Sequence, residues 1–73
     1  MTQDEARAAR IDWFNTAGAD VVWSAATACN TTPAYIRQLA HGYGGRRPSV
    51  DMAKLLAEHT GLPREAWRPD VWG

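Results

Sequence analysis

The sequence predicts an all-α domain of five short helices. Three observations predict it. Apolar residues recur at i, i+3 and i+4 spacing in several segments. Ser, Thr, Asp or Asn precedes those segments and Gly follows them, as helix starts and stops require. No run of alternating apolar and polar residues marks a strand. With 45% apolar and 22% charged residues, the 73-residue chain reads as one globular domain over 1–73. A domain this small buries only roughly 60% of its unfolded surface, so the area supplied by large aromatics counts heavily. Four Trp supply it here.

The first helix is expected over about Asp4 to Ala17, with Ala8, Ile11 and Phe14 as its buried stripe, Trp13 on the flank and Gly18 as the stop. Asp20 is expected to cap a second helix over about Val21 to Cys29. Val22, Ala25, Ala26 and Cys29 share one face of it, and the two alanines permit close approach of a neighbour. Asn30 leaves almost no room before the next helix. A turn this tight needs a residue near the left-handed region, and Asn tolerates it best after Gly. Thr31 or Thr32 then caps a third helix, Pro33 suits its first turn, and Gly42 ends it. Helices two and three are expected to meet steeply across this turn.

At 100° per residue, Tyr35, Leu39, Ile36 and Ala40 of the third helix span an arc of about 140°. Pro33, Ala34, Arg37, Gln38 and His41 fill the opposite arc. GYGGRRP, residues 42–48, reads as a flexible loop. Ser49 caps a fourth helix, with Asp51 in its first turn. Met52, Ala53, Leu55 and Leu56 are its core candidates, Val50, Lys54 and Glu58 face out, and Gly61 stops it. LPREAW, residues 62–67, makes a short fifth helix opened by Pro63, and 68–73 remains as a tail carrying Trp72. Trp67 and Trp72 are expected to close the small core or, with Val71, to offer a dimer contact, where Trp is enriched, and the two readings are compatible.

Net charge is zero, but its distribution is uneven. Residues 34–48 carry Arg37, Arg46 and Arg47 without an acid, and His41 can add to them. A helix that enters the major groove keeps one face buried and offers small or hydrogen-bonding side chains on the other. Pro33 and Ala34 leave room for close approach, Arg37 suits guanine and Gln38 adenine. Arg46, Arg47 and His41 suit phosphates.

Other chemistries find little support. GYGG lacks the Gly-Lys-Ser/Thr and the preceding strand of a phosphate-binding loop. Ser24 and Ser49 have no base nearby in this layout, so no enzyme and no cofactor is expected. Cys29, His41 and His59 lack paired metal-ligand spacing, and Cys29 reads as a buried, inert thiol. No apolar run approaches the roughly 20 residues of a membrane span, and MTQDEARAAR is unlike a signal peptide. The expected location is cytoplasmic.

NTTPAYIRQLAHG, residues 30–42, resembles the second half of the Cro/CI-type, lambda-repressor-like helix-turn-helix. The spacing from Asp20 through Cys29 to Leu39 matches that family's two helices and turn. RRPSVDMAKLLAEHTG resembles the R-R-P-S-x-x-x-A continuation of the YdaS-like branch of Cro-family regulators. LPREAWRPDVWG is similar to that branch's R-E-x-L-R-P-D-x-W ending. The resemblance covers residues 5–72. It departs from the pattern at Val22 and Trp23, where a Gln is usual, and at Asn30, where Gly is usual.

The resemblance implies a compact five-helix lambda-repressor-like domain, with the helix-turn-helix over about 20–41. It implies sequence-specific binding of double-stranded DNA at the bacterial nucleoid, as a homodimer on a palindromic operator, by a phage or prophage Cro-like repressor. By motif position, Thr32 contacts the backbone, Pro33, Ala34, Arg37 and Gln38 face bases, and Tyr35 lies at the groove edge. Some family members are described as antitoxins, so a toxin partner is one alternative. A protein-interaction module with weak or no DNA binding is another, favoured by the zero net charge. RNA binding is disfavoured, because Tyr35 and Tyr43 alone make no stacking platform.

Overall fold

The computed structural model describes residues 1–72, and these are all-helical, with no strand among them. The elements are α1 (Gln3–Thr16), α2 (Ala19–Ala28), α3 (Pro33–His41), a 3₁₀ turn (Tyr43–Gly45), α4 (Val50–Thr60), α5 (Arg64–Trp67) and α6 (Pro69–Trp72). α2 packs on α3 and α4, α1 packs on α3 and α5, and α5 joins α4 to α6.

Local chemistry explains most of the boundaries. Thr2 and Glu5 form a capping box that starts α1: each side chain takes the other residue's backbone N–H, at 3.1 and 2.9 Å. The bond from the Thr2 backbone N–H, with help from the Thr2 side chain, holds the Glu5 carboxyl below its ordinary pKa. Ser49 caps α4 by accepting from the Met52 N–H at 3.2 Å, and Gly61 ends it at φ +77°. Asp20 does not cap α2. Gly18 occupies the cap position without a side-chain bond, and Asp20 lies in the first turn, where its charge suits the helix dipole.

The buried side chains form one cluster. Ile36, Leu39, Leu56 and Trp67 are its largest fully buried members, and each contributes about 1.5–3 kcal/mol by leaving water. The Trp67 indole N–H donates to the Thr60 hydroxyl at 3.2 Å, so no polar atom is stranded by its burial. Val22, Ala25, Ala26 and Cys29 face inward as the wheel of the second helix requires. Burial pushes the Cys29 thiol pKa up, which suppresses the reactive thiolate.

Four expectations need correction. The inward face of α1 is Ala6, Arg10, Trp13 and Ala17 together with Phe14, while Ala8 is exposed and Ile11 half-buried. The stripe is rotated because Arg10, a charged residue, takes an inward position. Leu55 is 38% exposed and belongs to the outer face of α4. Trp67 is 1% exposed, so it closes the core and offers no dimer surface. The tail is not structureless: residues 69–72 form α6, which starts on Pro69 and bonds the Val71 and Trp72 N–H groups to the Arg68 carbonyl. The described helices therefore number six rather than five. Gly73, the last residue of the expected tail, lies outside the described residues.

Candidate nucleic-acid interface

α3 is held at both ends. At its start, Asn30 adopts φ +55°, and the Thr31 N–H reaches back to the Ala26 carbonyl at 2.9 Å. This closes the end of α2 and lets the next helix begin within a few residues. The Thr32 hydroxyl then accepts from the Tyr35 N–H at 3.2 Å, and Pro33 opens the helix without a wasted donor. At its end, Gly42 adopts φ +71° and donates to the Gln38 carbonyl at 2.9 Å.

Two arginines of α1 complete that end. Arg10 Nε donates to the Ala40 carbonyl at 3.1 Å, and Arg7 Nε donates to the His41 carbonyl at 2.9 Å. The last carbonyls of a helix lack partners within it and carry the negative end of its dipole. Arg10 also donates to the Ala66 carbonyl at 2.8 Å and so ties the end of α3 to α5. Neither Arg7 nor Arg10 stands out in the sequence as more than a charge. The one available signal was the position of Arg10, one turn before the aromatic pair Trp13–Phe14 that faces the core.

The buried face of α3 is Ile36, Leu39 and Ala40, with Tyr35 packed at the cluster's edge. On the outer side, Ala34 and Arg37 are exposed and Pro33 and Gln38 are half-buried. His41 is half-buried too. Its ring stacks on Tyr43, with centroids 5.0 Å apart, and meets Phe14 edge-on. The ring is therefore held against the protein rather than extended on a free surface. Thr32 is exposed at the helix start.

The loop after α3 is less free than expected. The 3₁₀ turn places Gly44 and Gly45 at positive φ and aims the chain back toward α4. Arg46 is exposed and makes no ion pair among the described residues. Arg47, expected to reach a phosphate, remains exposed and pairs with Asp70 at 3.2 Å. Arg68 grips the same carboxylate with two bonds, at 2.9 and 2.7 Å, and donates to the Pro48 carbonyl at 2.9 Å. Those Arg68 bonds, with help from Arg47, hold the Asp70 carboxyl down at about 2. α6 thereby neutralises part of the basic loop. Val71 is 45% exposed, and Trp72 is half-buried beneath the Arg64 guanidinium, 5.6 Å from its ring.

No family model, curated protein or solved structure matches the chain. Among the described residues, no three His, Cys, Asp or Glu side chains converge where a metal could be held. No helix of the described residues is long and apolar enough to cross a membrane.

Proposed function

We propose that the chain is a sequence-specific double-stranded DNA-binding transcriptional regulator, a Cro-like repressor of phage or prophage type. α2, the turn at Asn30 and α3 act as the helix-turn-helix, and α3 enters the major groove. One observation carries the reading: α3 buries Ile36, Leu39 and Ala40 and leaves Ala34 and Arg37 exposed beside Pro33 and Gln38. An outer face that gives the core nothing is fitted to a partner, and small residues beside a guanidinium and an amide fit base edges. The capped N-terminus at Thr32 and the exposed Arg46 fit phosphates. A homodimer on a palindromic operator would block polymerase sterically, with Val71 and Trp72 as the dimer candidates.

Selection of bound duplexes from a random pool at near-physiological salt tests this, with Arg37→Ala in parallel. The expected result is a palindrome with half-sites about one helical turn apart. Arg37→Ala is expected to cost about 1–3 kcal/mol and to relax preference at one position of each half-site. Equal loss on every sequence would remove Arg37 from base reading. Absence of any enriched sequence would sink the proposal as a whole.

A specific observation favours a second reading. Trp23 on α2 is 60% exposed, the most exposed of the large apolar side chains. An unburied Trp is a common anchor of protein contacts. An antitoxin or other protein-interaction module would use it, and a partner would then co-purify with the wild-type chain and be lost with Trp23→Ser.

A further inference from the structure

A cleft of about 220 Å³ opens between the N-terminal half of α1, the loop after α3, and α6. Arg7, Arg10, Arg46 and Arg47 line it, against Asp4 and Asp70. The two acids do not balance the four cations. Asp70 is gripped at both oxygens by Arg68, a fifth arginine, and pairs with Arg47 as well, while Asp4 makes no ion pair among the described residues, so five cations face two carboxylates. The partners of Arg7 and Arg10 are carbonyls, which accept hydrogen bonds but cancel no charge.

Donors also remain. Arg7 commits only Nε, and Arg10 commits Nε and Nη1. Arg10 Nη2 lies 3.7 Å from where a Cβ on Gly42 would stand, so the glycine keeps the space beside this nitrogen open. Burial and the neighbouring Arg7 charge hold the Arg10 pKa below its ordinary value. Partly dehydrated positive charge without an anion is an unfavourable arrangement, and an anion entering the cleft would relieve it.

We propose that this cleft binds a compact phosphate-type oxyanion. Guanidinium forks match tetrahedral oxyanions in both geometry and charge. Pockets for drug-sized ligands span about 300–1,000 Å³. The smaller volume here fits a phosphate or diphosphate, or the phosphate end of a small monoester, rather than a whole nucleotide. The same oxyanion chemistry is offered by a free phosphorylated ligand and, with a single negative charge, by a phosphodiester of a nucleic-acid backbone. The proposal stands whether or not α3 reads DNA.

Titration of the full chain with sodium diphosphate, followed by ¹⁵N–¹H NMR, tests it. Sodium chloride at matched ionic strength is the reference. The Arg7 and Arg10 Nε–H signals and the Gly45 N–H should shift and saturate with diphosphate but not with chloride. Arg46→Gln should weaken diphosphate binding about tenfold, the factor lost with one charge-assisted hydrogen bond. The Arg46 side chain is exposed and bonds nothing among the described residues, and its one backbone bond, from its N–H to the Tyr43 carbonyl, survives the substitution, so this variant keeps the fold. Lys54→Gln makes the same charge change on the outer face of α4 and should leave binding unaltered. Shifts that rise without saturating in both salts, or saturation that Arg46→Gln leaves intact, would overturn the proposal. With saturation established, added DNA duplex separates the sources. Displacement of diphosphate assigns the cleft to a backbone phosphate, and simultaneous binding, or no duplex binding at all, assigns it to a free ligand.

Discussion

Arg10→Met removes the charged tie among α1, the end of α3 and α5 while keeping most of the side chain's volume. Arg10 donates to the Ala40 and Ala66 carbonyls at 3.1 and 2.8 Å. Hydrogen bonds from charged donors contribute about 1.5–3 kcal/mol each. Both acceptors sit near helix ends, where no backbone N–H replaces the lost donor. Met recovers part of the loss, because the guanidinium no longer has to be held half out of water. Replacing both members of a buried polar pair by apolar groups is often neutral, but here the two carbonyls stay behind. The net cost is therefore about 2–3 kcal/mol. A small domain has a urea slope of about 1 kcal/mol/M, so the midpoint should fall by about 2–3 M. Equilibrium unfolding followed by circular dichroism and Trp fluorescence reads this directly. Arg7→Met, which removes one bond at an exposed position, should lose about 1 kcal/mol or less. An Arg10→Met unfolding free energy within about 0.5 kcal/mol of wild type would refute the dependence of these carbonyls on Arg10.

Three further outcomes follow from the same geometry. Asn30 sits at φ +55°, so Asn30→Val should lose at least about 1–2 kcal/mol while Asn30→Gly stays close to wild type; equal losses in thermal melts would refute the left-handed turn. Thr32→Ala should cost about 1 kcal/mol and fray the start of α3, seen as faster amide exchange at Tyr35. The Asp70 carboxyl is depressed from 3.8 to about 2, so its contribution to stability is complete above the ordinary value and lost as pH falls through about 2. Asp70→Asn should therefore be less stable than wild type at pH about 5, with the gap closing as acid is added and gone below about pH 2. A gap that persists in strong acid would refute the ion-pair origin.

Legibility in the sequence varied by element. α3 could be read almost entirely, because Thr32, Pro33 and Gly42 act within their own turn and the apolar arc is unbroken. α4 was readable from Ser49 to Gly61 for the same reason, although Leu55 was misplaced. Its position alone suits burial, and whether a neighbour covers it depends on where α5 crosses. α1 was harder. Its apolar residues are sparse, so two rotations of the helix score alike, and the choice between them was made by Arg10 finding carbonyls 30 and 56 residues away. α6 was missed because four residues carry too little periodicity to register, whereas Pro69 and the carbonyl of Arg68 suffice to form it in place.

The candidate site divides in the same way. The outer face of α3, with Ala34 and Arg37 exposed, was visible in the sequence by itself. So were the all-helical class, the tight turn at Asn30 and the caps, since each depends on bonds that span at most a few residues. Tertiary structure alone decided which charges are free. Arg47 and Arg46 are exposed neighbours of one kind in the chain, yet Asp70 pairs with the first, and the second makes no ion pair among the described residues. It also decided that Arg7 and Arg10 converge with the basic loop on one cleft. A charge's partner is set by distance in space, and local sequence has no term for residues brought together from the two ends of the chain.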